Sequence, residues 1–182
     1  MIGTIFVEFL GHVEEKFGLD TVDQIIDKLD GKLSTGGAYT TVGNYPHGEL
    51  LALAVALCSV DSKTMPQVVH DFAEHLMQAF YDGHAGYFGS SPDVFDFLLS
   101  VGSVIHADVR KLYPDARPPE VSGQLQTDGT LMLHYASYRP LAELALALTV
   151  MSGRFFGQPL AIDVVDRSED DRSIAMRVRK TS

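Results

Sequence analysis

The sequence is poor in cysteine and in basic residues. The single cysteine, Cys58, excludes an internal disulfide and fits a reducing cytoplasm. Lysine and arginine together number 14 against 24 acidic residues, which gives a net charge of −10. Because nucleic acids and anionic membrane surfaces bind basic patches, this charge argues against both as partners.

The chain also lacks the segments that would anchor or export it. No apolar run reaches the ~20 residues of a membrane span. The first ten residues, MIGTIFVEFL, have neither a basic region nor a cleavage site, so we expect no signal peptide and a cytoplasmic location. Residues 34–48 are rich in glycine but lack the lysine of a phosphate-binding loop.

The N-terminal part of the sequence has a helical pattern of apolar residues. At 182 residues and 46% hydrophobic composition, the chain can form one domain or two tightly joined subdomains. The spacing of apolar residues predicts helices over 3–17, from about residue 21, over 49–59 and from Thr64. A glycine-rich stretch, 82–90, is predicted to be a loop.

Beyond Pro119 the pattern becomes typical of strands. The predicted elements are strands 121–126 and 130–137, a helix 141–151 that Gly153 and Gly157 break, and strands 160–165 and 173–179. The fold class that follows is α+β. We expect an N-terminal helical subdomain, about residues 1–64, packed on a C-terminal antiparallel sheet with helices, about residues 65–182.

One histidine, His106, lies on the apolar face of a predicted helix that begins at Ser91 and ends before Pro114. The residues of this face recur at spacings of three and four: Phe95, Leu99, Gly102, His106, Val109 and Tyr113. Gly102, one turn before the histidine, would leave room beside the imidazole for a flat or bulky group. The alternative is a core histidine beside a glycine that only allows close helix packing.

A second pattern follows in the strand after the turn 127–129. If that strand continues, Tyr135, Ser137 and Arg139 point to the same side, because side chains alternate along a strand. Two hydroxyl groups and a guanidinium on one surface would bind a carboxylate or a phosphate. The alternative is a polar strand face exposed to water.

Together, His106 and the later Tyr135-x-Ser137-x-Arg139 resemble the signature of the heme-nitric oxide/oxygen binding (H-NOX) domain family. The run from His106 to Pro114 and the pair Pro118-Pro119 also look like this family. The resemblance implies heme b (iron protoporphyrin IX) bound between the two subdomains. His106 would then ligate the iron, Tyr135, Ser137 and Arg139 would hold the propionates, and Pro119 would press on the porphyrin.

The resemblance also suggests which gases bind. The first helix would line the distal side of the heme, with Ile5 and Phe9 as pocket walls. Oxygen-binding members hold O2 with a tyrosine on the helix after the propionate motif, where this chain has Leu144 and no tyrosine over 141–151. An apolar pocket favours NO and CO over O2. Three other polar side chains remain open as donors: Tyr45, His75 and Tyr87.

The function that the resemblance implies is a sensor rather than an enzyme. Binding of NO would weaken the bond between iron and His106 and shift one subdomain against the other. A separate protein, a histidine kinase or a diguanylate cyclase in relatives, would respond to the changed surface. Three alternatives stay open, namely an O2-binding sensor of the same family, a heme storage or transport protein, and an interaction domain without heme in which the motif is only structural.

Overall fold

The computed structural model describes residues 1–181, which form two compact units. The first unit is Met1–Ala79, and the second begins at Phe80. The boundary falls inside a long helix, later than the expected position near residue 64. The first half of that helix packs in the first unit, where the ring of Phe72 meets the ring of Phe9 edge-on with centroids 5.2 Å apart.

The first unit is helical, as predicted. Its helices are α1 (Thr4–Phe17), α2 (Leu19–Asp27), α3 (His47–Asp61) and the first part of α4 (Met65–Gly89). Gly18 separates α1 from α2 with φ +85°, a conformation that glycine adopts without strain. The core of this unit is formed by large buried side chains from all four helices: Phe6, Phe9, Val13, Ile25, Leu53, Leu57, Val68 and Leu76.

The second unit contains the sheet. Its elements are α5 (Val94–Ser100), a π-helical segment (Val101–Ile105), α6 (His106–Leu112), β1 (Glu120–Leu125), β2 (Leu131–Ala136), α7 (Ala142–Phe155), β3 (Leu160–Arg167) and β4 (Ser173–Lys180). The strands pair antiparallel in the order β1-β2-β4-β3. Both predicted hairpins and the α+β class are therefore confirmed.

One face of this sheet carries the core of the second unit. Alternate residues of β2 and β4 are buried there, as the alternation along the last strand predicts. Helix α5 covers this face with Val94, Phe95 and Leu98, and α7 adds Ala142. The strand residues in this core are Leu131, Leu133, Tyr135, Ile174, Met176 and Val178. The helix that precedes His106 is thus fixed to the strand that carries Tyr135.

The predicted loop over 82–90 is wrong, because α4 continues to Gly89. Only His84 departs from helical geometry, with φ −146° and ψ 40°. The helix resumes because Phe88 is buried and its ring stacks on Phe97, with centroids 4.6 Å apart. Glycine content alone did not reveal this aromatic anchor.

The helix predicted from Ser91 also differs. Its N-cap is Asp93, whose Oδ1 accepts hydrogen bonds from the backbone N–H groups of Phe95 at 2.7 Å and Asp96 at 3.2 Å. The helix is then interrupted by the π-helical segment. A π-turn contains one more residue than an α-helical turn. This insertion cannot be recognised from apolar residues spaced by three and four, the pattern from which one continuous helix was predicted.

Helix α7 passes through Gly153, which was predicted to end it. A Cβ at this position would lie 2.6 Å from Cγ of Leu160, so this glycine allows β3 to pack closely against the helix. The chain turns at Gly157, the other glycine predicted to break the helix, where φ is +62°. Among the described residues, no helix is both long and apolar enough to cross a membrane.

Candidate heme site

His106 is the first residue of α6 and directly follows the π-helical segment. Its backbone N–H donates to the carbonyl of Val101, five residues earlier, which is the hydrogen bond of a π-turn. The imidazole is partly buried, and its Nδ1 is fully buried with no hydrogen-bond partner. Burial of a polar atom in this state is costly unless a ligand satisfies it.

The surroundings keep the ring neutral. Desolvation lowers the pKa of His106 below its ordinary value, and the positive charge of Arg110 adds to this. The backbone carbonyl of Pro119 acts in the opposite direction and raises the pKa of the ring. A neutral imidazole with an oriented ring is the form that ligates metals.

Gly102 has a different role from the one expected. A Cβ on this residue would overlap the carbonyl group of Val121, so the π-helical segment lies directly against β1. The packing alternative explains this glycine, and no cleared space beside the imidazole is needed. The close approach fixes the chain four residues before His106.

Tyr135, Ser137 and Arg139 do not lie on one continuous strand, because β2 ends at Ala136. The next residue, Ser137, donates its backbone N–H to the carbonyl of Arg172 at 2.8 Å. The three residues are nevertheless brought together by the hydroxyl of Ser137. Its Oγ accepts the backbone N–H of Arg139 at 3.1 Å, and Ser137 also lowers the pKa of the Tyr135 phenol.

The phenol of Tyr135 is also held neutral. Desolvation raises its pKa, against smaller effects of Ser137 and Arg139 in the opposite direction. At neutral pH it therefore remains a hydrogen-bond donor. A neutral hydroxyl donor is what binding of a carboxylate requires.

Arg139 is the most unusual group of the site, since it is only 7% exposed. Its Nη1 donates to the carbonyl of Arg117 at 3.0 Å, and its guanidinium carbon lies 4.4 Å from the ring centroid of Tyr138. Its Nε is buried and has no partner. No carboxylate of the described residues forms an ion pair with Arg139. A buried cation without a counter-charge is strongly unfavourable, so an acidic ligand group fits this position.

The segment 117–119 connects the two halves of the site. The carbonyl of Arg117 holds the guanidinium of Arg139, and the carbonyl of Pro119 lies beside the ring of His106. Sequence reasoning did not identify Arg117 or Tyr138, because a backbone carbonyl and a stacked ring leave no recognisable spacing. The Pro118-Pro119 pair was the only signal in this region.

The predicted distal residues are divided between the units. Ile5 and Phe9 lie on α1 in the first unit, with Phe9 buried and Ile5 partly buried. Leu144 is partly buried on α7 in the second unit. Their role as pocket walls remains a prediction.

The three alternative polar side chains have other partners. The hydroxyl of Tyr45 accepts the backbone N–H of Thr40 at 3.0 Å. His75 lies 3.1 Å from a carboxylate oxygen of Glu8 and 3.5 Å from one of Glu15. The phenol of Tyr87 donates to Asp108 at 3.0 Å.

The donor set fits heme. Among residues 1–181, no group of three or more metal-binding side chains occurs. Heme iron needs only an axial protein ligand, because the porphyrin supplies its equatorial nitrogens. A partly buried neutral imidazole, an uncompensated guanidinium and two hydroxyl groups match an iron and two propionates.

Comparisons with known proteins agree with this chemistry. A family model described as haem-NO-binding matches residues 2–164. The unliganded Fe(II) H-NOX protein from K. algicida is 31% identical with a TM-score of 0.90, covering 100% of this chain and 97% of its own. Comparison with curated protein sequences gave no match.

Two further H-NOX structures extend the comparison. H-NOX from Shewanella woodyi, solved in the Fe(II)CO state, is 30% identical with a TM-score of 0.84 and covers 100% of this chain and 95% of its own. The S. oneidensis protein in the Fe(II)NO state is 21% identical with a TM-score of 0.89, covers 100% of both chains and supports the fold alone. The chain therefore belongs to the haem-NO-binding (H-NOX) family of heme-based gas sensors.

Proposed function

We propose that this protein senses nitric oxide at a ferrous heme whose iron is ligated by His106. The observation that carries the proposal is a pair of buried nitrogens without partners, Nδ1 of His106 and Nε of Arg139. Each is costly in the protein alone, and a heme would compensate both.

Different residues of the second unit would bind different parts of the heme. His106 provides the axial ligand, and Arg139 provides the positive charge for a propionate. Ser137 and Tyr135 donate hydroxyl hydrogen bonds to the carboxylates. A hydrogen bond to a charged group contributes ~1.5–3 kcal/mol, so the three side chains together would hold the cofactor firmly. When bound, heme supplies the iron atom at which the gas is captured.

The protein would discriminate between gases because α7 offers no tyrosine as a hydrogen-bond donor to bound O2. Helix α7 contains no tyrosine, and Leu144 stands where oxygen-binding members would place one. Ile5 and Phe9 are the further pocket walls that we propose. Bound O2 is polar and depends most on a hydrogen-bond donor, whereas NO and CO depend on it less.

Signalling requires that NO favour one of two conformations by a real difference in free energy. We propose that the ring of His106 and the adjacent Pro119 are the groups that respond, since the Pro119 carbonyl acts directly on that ring. A separate signalling protein, a histidine kinase or a diguanylate cyclase, would respond to the change.

The test is an absorption spectrum of the purified ferrous protein in argon, in air and with NO. We expect a histidine-ligated ferrous spectrum in argon, no stable oxygen complex in air, and a new spectrum with NO. A stable oxygen complex in air would contradict NO selectivity and would favour the O2-binding alternative.

A further inference from the structure

Tyr87 connects the end of α4 with the helix that begins at His106. Its phenol donates to Oδ2 of Asp108 at 3.0 Å, across 21 residues of sequence. Asp108 lies two positions after His106 in α6. The other oxygen of this carboxylate accepts from Lys111 at 2.9 Å, within the same helix. The contact with Tyr87 therefore ties α6 to a second element, whereas the contact with Lys111 does not.

Helix α6 needs such a contact. It has seven residues, and none of them is buried. A helix this short gains little stability by itself, and its orientation depends on tertiary contacts. Before it lies a π-helical turn, a feature that often marks functional sites in helices.

The two sides of His106 are thus held in different ways. Four residues earlier, Gly102 lies against the carbonyl of Val121, and a side chain there would overlap it. Two residues later, Asp108 accepts the phenol of Tyr87. These two contacts restrain the backbone on both sides of His106.

We propose that Tyr87 is a positioning residue for His106. Its hydrogen bond to Asp108 sets the orientation of α6 and thereby the strength of the bond from His106 to iron. The inference rests on the proposed function, because it assigns Tyr87 a role only if His106 is the iron ligand. A phenol that donates to a carboxylate makes a charge-assisted bond, which is stronger than a neutral one.

The experiment compares Tyr87→Phe with the parent as purified heme protein. Two readouts report on His106: the iron–histidine stretching band of the ferrous form, and the ratio of NO complexes that have lost and kept the histidine ligand. Loss of one hydrogen bond should shift this ratio about three- to tenfold towards histidine loss. The stretching band should move to lower frequency.

Two further variants define the contact. Asp108→Ala should reproduce the effect of Tyr87→Phe, and the double variant should add nothing, because both remove the same bond. Asp108→Ala also tests the proposal if Tyr87→Phe fails to fold. The matched control is Tyr81→Phe, which makes the same chemical change on α4 at an exposed ring packed against Phe88 and Phe155. It should leave both readouts unchanged.

The possible results are distinguishable. If His106→Ala loses the stretching band while folded Tyr87→Phe and Asp108→Ala match the parent, the role of Tyr87 is overturned and the proposed function stands. If His106→Ala keeps the band, the proposed function fails and this inference fails with it. A shift in both single variants, absent from Tyr81→Phe, supports the inference.

Discussion

At the scale of the residue, the site is defined by a positive charge for which the described residues provide no counter-charge. The guanidinium of Arg139 is buried against the carbonyl of Arg117 and the ring of Tyr138. Neither contact neutralises it. An arrangement of this kind is unfavourable in the empty protein and becomes favourable when an anionic group binds.

Replacement of Arg139 by lysine should therefore weaken heme retention while the charge is kept. Lysine cannot form the paired hydrogen bonds of a guanidinium, so the rate of heme transfer to apomyoglobin should rise about tenfold. The matched control is Arg117→Lys, because Arg117 is exposed and contributes its backbone carbonyl. Equal transfer rates for Arg139→Lys and the parent would contradict the assignment.

His12 in the first unit should give the protein a pH-dependent stability. Burial lowers the pKa of His12 to about 4, and the nearby His75 adds to this. The unfolded chain would bind a proton near pH 6.5, whereas the folded chain resists protonation. The free energy of unfolding should therefore fall as the pH drops from about 6.5 to about 4, by up to about 3 kcal/mol.

Chemical denaturation at pH 7 and pH 5 measures this effect. His12→Leu should flatten the pH dependence, because the buried group no longer titrates. The exposed His134 offers a control, since His134→Gln should keep the slope of the parent. A His12→Leu protein with the parent's slope would assign the pH dependence to other groups.

At the scale of the element, the helix leading to His106 is fixed by close packing rather than by its own propensity. Gly102 in the π-helical segment lies against Val121 of β1, with no space for a methyl group. Gly102→Ala should force the segment away from the strand at a cost of about 1–3 kcal/mol. The same displacement should alter the iron–histidine stretching band.

Thermal unfolding and resonance Raman spectra of Gly102→Ala test this claim together. Gly86→Ala is the control, because a Cβ at Gly86 in α4 would meet no atom within 4 Å. It should be neutral or raise stability by up to about 1 kcal/mol. A Gly102→Ala protein as stable as the parent, with an unchanged band, would show that the close approach has no such role.

The sequence alone predicted those helices and strands that depend on the spacing of neighbouring residues. Both hairpins follow from alternation, which survives in the buried positions of β2 and β4. The break at the π-helical segment was not predicted. Gly102 in that segment lies against a strand about twenty residues later, and such a contact leaves no local pattern in the sequence. The end of β2 before Ser137 was missed for a similar reason, since Ser137 pairs with the distant Arg172.

The same limit applies to the candidate site. The residue types His106, Tyr135, Ser137 and Arg139 were visible as a motif. Their connection was not, because it passes through the Ser137 hydroxyl and the carbonyls of Arg117 and Pro119. Backbone groups carry no identity in a sequence, so contacts made by them are found only in the folded chain.

At the scale of the whole molecule, the proposed roles are divided between two units. The proposed iron ligand and the three proposed propionate-binding residues all belong to the unit that begins at Phe80. Ile5 and Phe9, the proposed distal residues of α1, belong to Met1–Ala79. We therefore expect heme retention to depend on the second unit, and variants of Ile5 or Phe9 in the first unit should alter gas binding without loss of heme.

The most direct measurement is the resonance Raman spectrum of the ferrous protein, recorded for the parent and for His106→Gly with and without added imidazole. The parent should show an iron–histidine stretching band, His106→Gly should lack it, and imidazole should restore an iron–imidazole band. A His106→Gly protein that keeps the parent's band without imidazole would contradict the assignment of His106 as the iron ligand.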